Sequence, residues 1–239
     1  MYFLFSGEGP TDLGQCHSGT YECDGEAFDH GPMTIIVDQI VEAKHGYSFL
    51  DGEHFGFVSK HTLVAGADEL KANRKSMRLP GKKQSRETGY FYNNARVLAR
   101  IAIQRQHDLD DDVVAVLFRD SDGTASAGRG LWEDKRQSMI DGFDEEGFDR
   151  GVPMIPKPKS EAWIICAVKP NPYQSCDALE DRSRNDNSPN SLKQELGKIL
   201  GERASKDTLN AMVSSRSIDF KRIKMPSFKS FRKRLEEVI

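Results

Sequence analysis

No stretch of this 239-residue chain approaches the roughly 18 continuous apolar residues of a membrane helix, so no span and no membrane partner are expected. Cysteine is scarce. Four in 239 residues are too few for a disulfide scaffold, and a cytoplasmic setting of bacterial or viral kind is expected. The chain opens without a basic region followed by an apolar core. It enters an apolar run at Tyr2, so no leader is expected. Neither sign of charge dominates. Lys and Arg number 34 against 37 Asp and Glu, a net charge of −3, which argues against a general polyanion binder. There is no internal repeat, and the length suits one domain with extensions and an ample core.

What is present begins with Val113-Val114-Ala115-Val116-Leu117-Phe118, an apolar run closed by Arg119-Asp120-Ser121-Asp122-Gly123. A buried parallel strand reads as such a run, and sites in open α/β sheets form beyond the carboxyl ends of strands. Asp120 and Asp122, two apart, point to one side of an extended chain and suit Mg²⁺ or Mn²⁺. A second acidic segment follows the run Tyr2-Phe3-Leu4-Phe5, as Ser6-Gly7-Glu8-Gly9-Pro10-Thr11-Asp12. Glycines on both sides of Glu8 allow a tight turn there and a close approach of backbone to a phosphate. An acid so placed has little structural use, whereas Asp12 could be a cap and Asp122 a turn residue.

Charge is clustered. Lys71, Arg74, Lys75, Arg78, Lys82, Lys83 and Arg86 occur with no acid in residues 71–86. Lys221, Arg222, Lys224, Lys229, Arg232, Lys233 and Arg234 do the same in 221–234. Acids gather at 108–112 and 141–149. Basic segments beside a carboxylate site suit a nuclease, with cations neutralising phosphates along a strand. Solvated loops and a helix face are the competing reading. Lys157, Lys159 and Glu161 follow a short apolar stretch at the same expected sheet edge. A lysine there could stabilise phosphoryl charge and Glu161 could add a metal ligand, or these residues could form a linker and a first-turn acid. Cys16, His17, Cys23 and His30 could hold zinc, but adjacent Cys and His rarely share an ion and the spacing is not that of a finger.

Periodicity predicts strands over residues 2–6, 55–63, 113–118 and 154–155. It predicts helices over 34–44, 90–106, 126–146 and 160–166, with Ser160 as a cap. Strand–helix alternation implies a mainly parallel sheet covered on both faces. Residues 13–33 read as an irregular insert, 66–89 as a second insert, and 181–191 as a polar loop. Short helices at 191–201 and 206–213 and a basic amphipathic helix over 228–238 form a helical extension, residues 171–239, packed on a core of residues 1–170.

Taken together, strand–Glu8-Gly-x-x-Asp12 and strand–Asp120-x-Asp122 resemble the Toprim domain, the metal-dependent phosphoryl-transfer module of topoisomerases, bacterial primases and overcoming-lysogenization-defect nucleases. Val152-Pro153-Met154-Ile155 through Glu161-Ala162-Trp163, Ile218-Asp219-Phe220 and Ser227-Phe228-Lys229-Ser230-Phe231 are similar to a Toprim-like family with small stand-alone members, some associated with phage defence. The chain departs from that family's compactness at residues 13–33. The resemblance implies an α/β Toprim-like open sheet and a cytoplasmic, antiviral, metal-dependent endonuclease acting on DNA or RNA. It implies Glu8, Asp12, Asp120 and Asp122 on one or two Mg²⁺ or Mn²⁺ ions, with Glu8 as an alternative general acid or base. A partner ATPase is also implied, and a homo-oligomer is a separate expectation. Two other readings stay open: a non-catalytic Toprim binding module, and a phosphatase or nucleotidyl transferase on small substrates, against which the basic stretches weigh.

Overall fold

The computed structural model describes residues 1–17, 19–73, 86–121, 132–171, 175–182, 185, 190–201 and 204–239, with backbone alone at 73, 86 and 87. Strand β1 (Tyr2–Gly7) is wholly buried and lies between β5 (Phe55–Ser59) and β6 (Val113–Phe118), parallel to both. Strand β7 (Gly151–Met154) adds to β6, also in parallel. The short β3 (Glu22–Asp24) closes the other edge, antiparallel on β5. The order β3-β5-β1-β6-β7 sends the chain from β1 to one side and then back across it to β6. The direction of winding therefore reverses between β1 and β6, where a crevice forms at the carboxyl ends of the strands.

Alternation along the strands feeds two cores. Phe3, Phe5, Val114, Val116 and Phe118 face helices α1 (Pro32–His45), α5 (Ser160–Val168) and α8 (Pro226–Val238). Tyr2, Leu4, Val113, Ala115 and Leu117 face α2 (Lys60–Asn73), α3 (Arg86–Leu109) and α4 (Trp132–Glu145). Helix α1 starts on Pro32 and stops at Gly46, whose φ of 76° is a left-handed cap that glycine adopts freely. Helices α6 (Leu192–Leu200) and α7 (Lys206–Ser214) are capped by Ser191 and Ser205, which accept from the N–H groups of Gln194 and Thr208. The C-terminal segment shares the first core. Trp163 is fully buried, donates to Ser227 Oγ at 2.9 Å, and packs between Phe228 and Phe231 of α8.

Several expectations are corrected. The second strand ends at Ser59, because Thr62, Leu63 and Val64 belong to α2, where Leu63 fills the core. Helix α2 also takes up residues 66–73, so that part of the second insert is regular. The fourth strand is β7, earlier by three residues than expected. Ser160 is the first residue of α5, not its cap; Lys159 stands at the cap. The insert at 13–33 is not irregular throughout. Strands β2 (Gly14–Cys16) and β4 (Phe28–His30) pair antiparallel, and β3 joins the main sheet. The cysteines are disulfide-bonded as Cys16–Cys23 and Cys166–Cys176, with Cα separations of 5.8 and 5.4 Å. The cytoplasmic expectation rested on the small number of cysteines, and all four are paired. No helix of the described residues is long and apolar enough to cross a membrane. The expected helix start at 126–131 and most of the polar loop at 181–191 lie outside the described residues.

Candidate functional site

The crevice between β1 and β6 receives both acidic segments. Gly7 pairs with Phe118, so Glu8 and Arg119 come next and Asp120 one residue later. The turn after β1 needs its glycines. Gly9 has φ 88°, and a Cβ on it would lie 2.6 Å from Asp12 Oδ2. The Gly9 carbonyl accepts from the N–H groups of Asp12 and Leu13, both at 3.0 Å, which folds Asp12 back over the strand end.

Asp12 and Asp120 meet at the N-terminus of α5. The Ser160 hydroxyl donates to Asp12 Oδ1, and the Ser160 N–H donates to Asp120 Oδ1 at 3.2 Å. A helix N-terminus favours negative charge through its free N–H groups. Burial nevertheless pushes the Asp12 carboxyl above the usual carboxylate range, opposed by bonds from Ser160 and Thr11 and by the charges of Lys193 and Lys159. Ser121 fixes the segment after β6: its N–H donates to the Pro156 carbonyl at 3.2 Å and its hydroxyl to the Pro158 carbonyl at 3.2 Å.

Glu8 turns the other way. Its Oε2 sits 2.7 Å from Nζ of Lys60, the first residue of α2, and that bond holds the Lys60 ammonium above its ordinary range. Arg119 points to the same layer. Its guanidinium is fully buried and lies 5.6 Å from the Tyr90 ring of α3. Burial pushes it below the usual arginine value, with Tyr90 and Glu8 opposing.

The expected constellation is therefore split. Glu8 is drawn off by Lys60, Asp12 and Asp120 are held by Ser160, and Asp122 lies outside the described residues. Among the described residues no three His, Cys, Asp or Glu side chains gather as a metal-binding group. Of the four residues that could hold zinc, Cys16 and Cys23 are disulfide-bonded to each other, which leaves His17 and His30. His30 stands edge-on to Phe55. Of the third element, Lys157 lies 3.7 Å from Glu180 Oε2, Lys159 acts on Asp12 through its charge, and Glu161 is partly buried in the first turn of α5.

The basic stretches are partly spent. Lys71 pairs with Asp68 at 2.8 Å. Arg232 bonds Glu236 at 2.7 Å and covers the Phe220 ring, and Lys233 lies 3.8 Å from Glu237. These acids stand one helical turn away, so the C-terminal stretch looks more cationic in sequence than on α8. Lys229 is exposed. Arg74, Lys75, Arg78, Lys82 and Lys83, and the Arg86 side chain, lie outside the described part of the chain.

Sequence reasoning passed over Ser160 as a bridge, and it missed Lys60 and Arg119. Lys60 carried a usable signal, since it directly follows the apolar Phe55–Ser59 strand and so sits at the same sheet edge. No protein-family model matches the chain, and comparison with curated proteins and with solved structures returns no match.

Proposed function

We propose that the chain is a Toprim-type, divalent-metal-dependent nuclease that hydrolyses phosphodiester bonds of DNA or RNA and acts as an antiviral effector, with a partner ATPase as the resemblance implies. The observation that carries the reading is the pairing of β1 with β6, which sets Glu8, Asp12 and Asp120 at adjacent strand ends beside the winding reversal. The donors are hard oxygens, and Asp12 is buried deeply enough to favour a cation beside it. Asp12, Asp120 and Asp122 would hold Mg²⁺ or Mn²⁺, joined by Glu8 once it leaves Lys60. Such an ion stabilises charge on the attacking and leaving oxygens and lowers the pKa of bound water. The chain's own part is positional. Ser160 orients two carboxylates at once, and Lys60, released from Glu8, can approach a phosphate oxygen.

The test is cleavage of labelled DNA and tRNA with Mg²⁺, with Mn²⁺ and with EDTA. Asp120→Ala should remain folded and lose activity in every metal. Full activity of folded Asp120→Ala refutes the assignment. A second reading, a binding module without catalysis, draws on the Glu8–Lys60 pair, which neutralises the acid a catalyst needs. It predicts that the unaltered protein retards nucleic acid on gels but cleaves none of it in any metal.

A further inference from the structure

One part of the crevice holds polar groups left without hydrogen-bond partners. Arg119 Nε and Nη2, both amide atoms of Asn94, the Tyr90 hydroxyl and Ser6 Oγ are all buried and unpartnered among the described residues. Register and helix spacing put them on the α3 side of the sheet. Ser6 pairs in register with Leu117, and Arg119 follows Leu117 by two residues on the same face. Tyr90 and Asn94 are four apart on α3, on one stripe, with the Tyr90 ring 5.6 Å from the guanidinium. Arg119 bonds the Phe118 carbonyl from Nη1 at 3.3 Å and interacts with the Tyr90 side chain, which leaves it without an anion of its own. Glu8, whose charge acts on it, is engaged by Lys60 at 2.7 Å.

A buried guanidinium without an anion is strongly unfavourable, and buried polar groups are nearly always satisfied. The free Nε and Nη2 form the fork that meets two oxygens of a phosphate. Asn94 Nδ2 and the hydroxyls of Tyr90 and Ser6 supply further donors. Lys60, with a half-exposed side chain, directly follows β5 at the same end of the sheet.

We propose that Arg119, Asn94, Tyr90 and Ser6, with Lys60 at the entrance, form a pocket for a phosphate monoester. Arg119 is fully buried, so the pocket admits a group with one ester arm. An internal diester would have to carry two arms out of it. That the monoester is the phosphorylated end of a nucleic-acid strand rests on the nuclease reading; the pocket itself does not.

The first measurement uses inorganic phosphate with EDTA present, at constant ionic strength made up with chloride. Calorimetric titration and thermal melting should both register phosphate binding. Arg119→Met should weaken binding at least about tenfold, the loss of one charge-assisted fork. Without phosphate, Arg119→Met should melt at or above the unaltered protein, since an uncompensated buried charge is gone. Asn94→Ala and Tyr90→Phe, each keeping the arginine, should weaken phosphate binding several-fold and carry the test if Arg119→Met does not fold. A phosphate effect no larger than that of chloride, or equal binding by the variants, overturns the pocket. No metal or turnover is involved, so this outcome is independent of the Asp120→Ala assay. The second measurement displaces phosphate with oligonucleotides phosphorylated at the 5′ end, at the 3′ end or at neither, and with a mononucleotide. A phosphorylated end should compete at least about tenfold better than a hydroxyl end. Equal competition by all strands overturns the strand-end assignment, and a mononucleotide matching the best strand assigns the pocket to small phosphate esters instead.

Discussion

Asp12→Asn should stabilise the protein near neutral pH, and the gain should depend on pH. Asparagine is nearly isosteric, and its amide oxygen can still accept from Ser160, while its NH2 group takes the place of the oxygen that accepts the long 3.4 Å bond from Thr11. What is lost is a charge whose dominant influence is burial. Relief of an incompletely compensated buried charge is worth about 1–3 kcal/mol. Loss of the attraction of Lys159 and Lys193 trims this towards the lower end. At about 2–4 °C per kcal/mol for a chain of this size, the melting temperature should rise by about 2–6 °C at pH 8. The sign follows from linkage. The folded carboxyl is raised above its unfolded value of about 3.9, so its stabilising contribution is complete below that value. It is lost as pH climbs through the folded pKa. The two proteins should therefore converge towards pH 3–4 and separate above it. Added Mg²⁺ should raise the melting temperature of the unaltered protein and close the gap, with little effect on Asp12→Asn. Differential scanning calorimetry across pH, with and without Mg²⁺, reads all of this. A variant that melts below the unaltered protein at pH 8, or a gap independent of pH, refutes the reasoning.

Trp163→Ala should cost about 3–5 kcal/mol in urea unfolding, because it empties the contact between α5 and α8; a loss under about 1 kcal/mol would show that α8 docks by other means. Lys60→Met should change stability by less than about 1 kcal/mol, its pair with Glu8 being well exposed, yet it should tighten Mg²⁺ binding by freeing Glu8, and unchanged affinity in calorimetry would contradict that. Replacing Lys82, Lys83 and Arg86 together with Ala should weaken nucleic-acid binding and flatten its log–log salt slope by about 0.7–0.9 for each phosphate no longer neutralised. Turnover at saturating substrate should hold, and an unchanged salt slope would make this stretch plain solvated surface.

The parallel core was legible because its strands are simple. Tyr2–Gly7 and Val113–Phe118 are buried on both faces, so they read as unbroken apolar runs, and their acids mark the carboxyl ends. Helix α1 was legible at its end through Gly46. Residues 60–63 were not, since β-branched Thr62 favours a strand locally while packing places it in α2. The disulfides were missed because their partners meet only after β3 docks on β5 and after residue 176 folds back over α5. At the site, sequence located the acids but not their division. Glu8 and Asp120 leave adjacent strands on opposite faces, and a lysine and a serine from remote helices then claim them. Alternation alone decides that separation, and it depends on a register that one strand cannot disclose.

Helix α5 gives the acidic pair an unexpected dependence. Its first residue grips Asp12 and Asp120, and three residues on, Trp163 is wedged against Phe228 and Phe231. Tilting so short a rod at one end swings the other. Substitutions in the aromatic stripe of α8 should thus reach the two carboxylates through the tilt of α5, with Ser160 as the link.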